Sequence, residues 1–119
     1  MAVFANLYID QGSTFTSTVT VEDANDNLVN ITNYTTRGQV RKSYTSTTAT
    51  NFTATITDAT KGEFTIALSR TQTGALKAGR YVYDVEVISP AGAVTRVVEG
   101  QITVTPRVTK PDDYSPGYG

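Results

Sequence analysis

The sequence contains no cysteine, no histidine and no tryptophan. Without histidine or cysteine it lacks the Ser-His and Cys-His nucleophile pairs, an imidazole acid or base, and the common zinc ligands. It also cannot form a disulfide, which fits folding in a reducing cytoplasm. We therefore expect a non-enzymatic protein that needs no cofactor and no metal ion and is held together by packing alone.

Charge and long apolar runs are also scarce. Charged residues make up 18% of the chain, and the formal net charge is −1 at pH 7. A nucleic-acid-binding surface would carry a basic stripe, so we expect no nucleic-acid partner. No segment approaches the ~18 apolar residues that span a bilayer, and residues 1–8 lack the basic start and apolar run of a signal peptide. These absences predict no membrane partner and synthesis in a cytoplasm.

What the sequence has in abundance is the β-branched side chain. Among its 119 residues are 22 threonines, 13 valines and 6 isoleucines. Such side chains are stiff at χ1 and fit a pleated sheet better than a helix, and the length suits one core. The composition predicts a single all-β domain with a neutral, threonine-rich exterior that suits packing against other protein.

Apolar and polar residues alternate in short segments separated by turn residues, which predicts half-buried strands. Residues 58–62 have the composition of a hairpin turn, and Gly100 predicts a bend or bulge in the last strand. Alternation stops after Leu68, and residues 76–79 are expected to form one helical turn ended by glycine. About seven strands at this spacing predict a β-sandwich. The predicted strands are 7–9, 14–21, 34–42, 50–57, 64–68, 80–88 and 93–104.

The chain is expected to divide into a sandwich at 1–105 and an extended tail at 106–119. The tail contains three prolines, two glycines and two tyrosines, shows no alternation, and cannot form a core of its own. It is either a frayed end or an arm that becomes ordered on a neighbouring subunit. In the second case Tyr114 and Tyr118 are the partner-binding anchors, since aromatic residues are enriched at interfaces.

A basic cluster, Arg37, Arg41 and Lys42, is a second candidate partner-binding site. The two arginines are an even number of residues apart and therefore share one face of a strand. They could bind an acidic patch on a partner protein. The alternative is a solvated face on which they lie beside carboxylates such as Asp84 and Glu86 and contribute little.

The spacing Asp23-x-Asn25-x-Asn27 matches the first calcium ligands of an EF-hand loop. The glycine position of that loop is occupied here by Leu28, and the closing acidic position by Tyr34. The motif therefore fails, and we interpret the segment as a hairpin turn, because Asp and Asn are favoured turn residues. A weaker ion site completed by other loops stays open.

The tyrosines suggest an alternative function, because aromatic faces stack on sugar rings. Tyr81 and Tyr83 alternate with polar residues and are expected in the core, whereas Tyr8, Tyr34 and Tyr44 are less constrained. A carbohydrate-binding module is therefore the second hypothesis.

The run Gly79-x-Tyr81-x-Tyr83-Asp84-Val85 resembles the penultimate strand of immunoglobulin-like domains. By this resemblance Tyr81 is the structural tyrosine corner, and Tyr83 stands where those domains carry a cysteine. Over roughly residues 6–105 the order of features is similar to the immunoglobulin-like modules of tailed-phage virions, including the N-terminal domain of the upper-baseplate-protein family. The other motifs that carry this resemblance are Gly12-x-x-Phe15, Leu28-x-x-Ile31-Thr32-Asn33-Tyr34, Val40-Arg41-Lys42, Gly62-x-Phe64 and Glu99-Gly100-Gln101-Ile102-x-Val104.

The resemblance implies a virion structural protein, made in the cytoplasm of a host bacterium and bound to other virion proteins of the capsid, tail or baseplate in many symmetric copies. In baseplate relatives this domain is followed by more chain that carries attachment. The present sequence ends after the tail, which leaves two roles, tail or baseplate accessory and capsid decoration. Its first strand and tail would also permit a homo-oligomer. The alternative is a carbohydrate-binding or host-adhesion module on the particle surface that recognises a host glycan.

Overall fold

The computed structural model describes residues 3–108, which form nine strands and one six-residue helix. No helix in this range is long and apolar enough to cross a membrane. The elements are β1 (Val3–Phe4), β2 (Leu7–Asp10), β3 (Phe15–Thr20), β4 (Thr35–Arg41), β5 (Thr50–Asn51), β6 (Thr53–Asp58), β7 (Glu63–Leu68), α1 (Arg70–Ala75), β8 (Gly79–Ile88) and β9 (Val94–Thr105).

The strands form two sheets that pack face to face. The larger sheet has the order β1-β9-β8-β4-β5, and β2 continues β1 along the edge of β9. β1 and β2 run parallel to β9, whereas the other neighbours in this sheet are antiparallel. The smaller sheet has the order β3-β7-β6 and is antiparallel throughout. This arrangement confirms the predicted all-β, immunoglobulin-like sandwich.

The core lies between the inner faces of the two sheets. Alternate residues of β7 and β8 are buried, as the two-residue period predicts, and Phe64 and Val85 are fully enclosed. Ile31 reaches the same core from the crossover between β3 and β4. The largest enclosed apolar side chains are Phe64, Ile9, Ile31, Ile66, Leu68, Ile102, Val40, Val85 and Val104.

The predicted hairpin at residues 58–62 is confirmed. A 3-10 turn at Ala59–Lys61 ends at Gly62, whose φ of +69° lies in the left-handed region. A Cβ at Gly62 would also lie 2.4 Å from the Val29 carbonyl oxygen, so both the backbone angle and the space require glycine.

Two predicted segments are arranged differently. The single strand expected at 50–57 divides at Phe52, because β5 pairs with β4 of the larger sheet and β6 pairs with β7 of the smaller one. The helical turn is formed by α1 rather than by residues 76–79. It begins at a capping box in which Ser69 accepts from the Gln72 amide and the Gln72 side chain accepts from the Ser69 amide.

The bulge expected at Gly100 lies three residues earlier. The pairing of β8 with β9 shifts register opposite Val85 and Glu86, and Val97 and Val98 are consecutively buried. Gly100 serves another purpose, since a Cβ there would lie 2.1 Å from the Ala5 carbonyl oxygen. The glycine lets the chain between β1 and β2 run close against β9.

Tyr81 and Tyr83 are both buried, as their alternation predicts. The Tyr81 hydroxyl donates to the Lys77 carbonyl at 2.8 Å, which is the hydrogen bond of a tyrosine corner. The Tyr83 ring meets Phe52 edge to face at 6.1 Å between centroids, and its hydroxyl donates to the Ala5 carbonyl at 2.7 Å. Tyr83 thereby links the centre of the core to the edge strands.

Burial raises the pKa of Tyr83 from 10.0 to about 12. Between these values the unfolded chain releases a proton that the folded protein keeps, so the free energy of unfolding should fall as pH rises from 10 to 12. In Tyr83→Phe this fall should be smaller, because the group is gone. Denaturant titrations of both proteins at pH 8 to 12 measure the difference, and parallel curves would contradict it.

Candidate interaction surface

The candidate functional surface is the solvent-facing side of the larger sheet, which we call the outer face. It is formed by the side chains of β4, β8 and β9 that alternate with the core residues. Around its centre lie Arg37, Gln39, Arg41, Val82, Asp84, Glu86, Arg96 and Glu99. Phe4, Tyr8 and Asn51 join it at the sheet edges, and Tyr44 joins it from the loop after β4.

Strand register places charges of both signs next to one another on this surface. Arg37 lies opposite Glu86 in the pairing of β4 with β8, and Glu86 lies opposite Arg96 in the pairing of β8 with β9. Two residues further along the same face, Asp84 lies opposite Gln39 on one side and Glu99 on the other. Residues directly opposite one another share a face, so the sheet itself fixes this pattern.

The ion pair of Arg37 joins directly opposite residues, whereas those of Arg96 join a diagonal neighbour on β8 and a residue of its own strand. Arg37 Nε lies 2.8 Å from Glu86 Oε1, and Arg96 contacts Asp84 at 3.4 Å and Glu99 at 3.5 Å. The Arg37 and Arg96 side chains are more than half exposed. Such pairs contribute little to stability, so these groups remain usable for a partner's charges.

A shallow concavity of about 560 Å³ occupies the centre of the outer face. Burial raises the pKa of Asp84, one of its lining residues, while the Arg96 charge acts in the opposite direction. Gln39 and Asn51 also line it, and Gln39 Nε2 donates to Asn51 Oδ1 at 2.8 Å. The concavity is thus an open depression lined by charged and amide groups, and it is not an enclosed cleft.

The structure separates the predicted basic cluster. Arg37 and Arg41 lie on the outer face, and Arg41 donates to the Ser46 carbonyl and to Gln39 Oε1, which ties the loop to β4. Lys42 Nζ instead lies 4.8 Å from the centre of the Tyr81 ring and donates to the Arg80 carbonyl at 3.0 Å. The arginines therefore act on one surface, and Lys42 supports the tyrosine corner.

Exposed aromatic side chains stand at both margins of the outer face. Phe4 and Tyr8 pair with Glu99 and Thr103 of β9, and the exposed fractions of their side chains are 67% and 73%. Tyr44, at the opposite margin, is 79% exposed. The sequence alone gives Tyr8 and Tyr44 no definite place and does not single out Phe4, because only the parallel pairing with β9 places Phe4 and Tyr8 here.

The other predicted partner-binding residues, Tyr114 and Tyr118, lie outside the described residues. The Asp23 segment forms a turn in which Asp23 Oδ1 accepts from the amides of Asn25 and Asn27, and these bonds lower the pKa of Asp23. Within residues 3–108 no group of three acidic side chains is placed to hold a metal ion.

No protein-family model and no curated protein matches the sequence. Among solved structures, the chain is similar to an internalin-like protein of Listeria monocytogenes, with 20% identity and a TM-score of 0.44. The match covers 87% of this chain and 28% of the other, so the chain spans less than a third of that protein. A likeness at this level bears on neither partner nor activity.

Proposed function

We propose that the chain is a non-enzymatic structural protein of a tailed-phage particle, either a tail or baseplate accessory or a capsid decoration protein, and that its outer face binds another virion protein. The sequence motifs shared with virion immunoglobulin-like modules support the class of particle. The lack of histidine and cysteine in the sequence supports binding rather than catalysis.

The observation that carries the binding surface is the combination of exposed aromatic residues and arginines on one rigid sheet. Phe4, Tyr8 and Tyr44 flank a centre that contains Arg37 and Arg96. Aromatic residues and arginine are the side chains enriched in protein interfaces and among their energetic hot spots. Because the face carries both signs of charge, the partner surface should be of mixed charge.

A particle-incorporation assay tests this proposal. Tyr8→Ala and Tyr44→Ala should each reduce the number of copies in purified particles, because truncating a buried interface aromatic costs about 2 kcal/mol or more. Thr55→Ala, an exposed change on the smaller sheet, is the matched control and should leave the copy number unchanged. Quantitative mass spectrometry of particles measures all three.

A deletion in the tail is tested separately in the same assay. Deleting residues 109–119 leaves Arg107, whose amide lies 3.5 Å from Gln11 Oε1, in place. Incorporation should fall if the tail is an arm on a neighbouring subunit. A chain found only free in the lysate, whatever its variant, would overturn the structural role.

A carbohydrate-binding function is the second candidate, favoured by Tyr44 and the Gln39 and Asn51 amides, which line the same concavity. An aromatic face with amide groups next to it suits a sugar ring and its hydroxyls. Glycan-array binding by the purified chain, abolished by Tyr44→Ala, would support this function over the structural one.

A further inference from the structure

The outer edge of β3 is open. β3 is the edge strand of the smaller sheet, and no strand within residues 3–108 pairs with its free side. Both β1 and β2, which could have covered it, lie on the larger sheet instead. An open edge of this kind is a template for pairing with a strand of another chain.

The hydrogen bonds between β3 and β7 determine which backbone groups of β3 point toward its open side. The Val21 amide donates to the Gly62 carbonyl, and this bond continues the register of β3 with β7, so Phe15, Ser17 and Val19 also turn their backbone groups toward β7. Because bonding alternates along an antiparallel strand, Thr16, Thr18 and Thr20 turn their N–H and C=O groups outward. Their side chains are exposed as well.

β3 lacks the features that protect other edges. It holds six residues in unbroken register with β7, without charge, proline or bulge. β6, the opposite edge of the same sheet, ends at Asp58 and has a register shift between Ile56 and Asp58. Edges of soluble proteins are usually blunted by charge, proline or bulges, so an unprotected strand is expected to be covered in the working state.

We propose that two copies of the chain pair through β3, antiparallel and about a two-fold axis at Thr18. This register joins Thr16 to Thr20 of the second copy and merges the two smaller sheets into one. On the inner side it brings together Phe15 and Val21, and Ser17 and Val19. Phe15 and Val19 are only half-buried in the single chain, so pairing removes further apolar area from water.

The charges at the two ends of β3 favour this orientation. Glu22, Asp23 and Asp26 follow its end and are exposed, and Lys61 nearby leaves this end net negative. In antiparallel pairing each acidic end meets the beginning of β3 in the other copy. A parallel pairing would instead set the acidic ends against each other.

Two arginines lie at the beginning of β3. Arg70 is the exposed first residue of α1, which Thr73 ties to the Ser13 carbonyl by a 2.8 Å hydrogen bond. Arg107 lies against Gly12. In the antiparallel dimer these two arginines lie at the end that meets the acidic end of the second copy, which favours this orientation.

Sedimentation equilibrium of the purified full chain tests the pairing without any other particle component, so its result is independent of the proposed function. The wild type should be a reversible dimer. Thr18→Lys places like charges opposite each other at the axis and should raise the dimer dissociation constant at least about tenfold. Thr55→Lys, the same change at an exposed site of the other edge strand, should not alter it.

Circular dichroism and thermal unfolding of both variants establish that each is folded. A charge exchange then tests the orientation, since Glu22→Lys and Arg70→Glu should each weaken the dimer and the double variant should recover it. A monomeric wild type at all accessible concentrations would overturn the proposal. Larger assemblies that Thr18→Lys leaves intact would also overturn it, as would an equal effect of Thr18→Lys and Thr55→Lys on the dimer dissociation constant. The antiparallel orientation would be wrong if the double variant formed a dimer no tighter than those of its single variants.

Discussion

Replacing Phe64 with alanine should lower the free energy of unfolding by about 3–5 kcal/mol, the range for a fully enclosed phenylalanine. Phe64 has no exposed surface and lies on β7, the central strand of the smaller sheet. The sandwich has no disulfide to compensate, so this loss approaches the whole stability of a small domain.

Phe4→Ala is the matched control, because its side chain is 67% exposed on the outer face. It should change the free energy of unfolding by no more than about 0.5 kcal/mol. Urea titrations followed by far-UV circular dichroism compare the two variants. Equal losses for Phe64→Ala and Phe4→Ala would mean that the core does not lie between the sheets as described.

Gly100→Ala should be the second most damaging change, costing about 2–3 kcal/mol. Its Cβ would lie 2.1 Å from the Ala5 carbonyl oxygen, a backbone atom that cannot rotate away. Moving Ala5 also disturbs the hydrogen bond from the Tyr83 hydroxyl and the bond from the Ala5 amide to the Glu99 carbonyl.

Gly74→Ala provides the contrast. Gly74 lies inside α1, and an added Cβ would meet its nearest atom at an ordinary 3.8 Å. Alanine favours helix over glycine, so this variant should gain up to about 1 kcal/mol. Thermal unfolding of both variants separates the two effects, and a harmless Gly100→Ala would contradict the close approach of Ala5 to β9.

The inward and outward faces of the strands could be predicted from sequence, because a two-residue period is a local property. Tyr83 and Val85 are buried where the alternation places them, and Arg37 and Arg41 share a face. The capping box at Ser69 and Gln72 was also present in the sequence and would have located α1.

The remaining features depend on contacts between distant parts of the chain. Gly100 is required by Ala5, and Phe4 and Tyr8 reach the outer face only through parallel pairing with β9. The chain likewise changes from the larger to the smaller sheet at Phe52 because β5 pairs with β4 and β6 pairs with β7. Register between strands far apart in sequence leaves no local pattern, so Phe4 and Tyr8 could be placed on the candidate surface only in the fold.

Electron cryo-microscopy of the purified particle tests the central claim most directly. The proposed function predicts stoichiometric density for a two-sheet domain at symmetric positions, with the outer face bearing Tyr8, Arg37 and Tyr44 against another virion protein. A particle that carries the domain with this face turned entirely to solvent would contradict the binding surface. A particle without the domain would contradict the structural role itself.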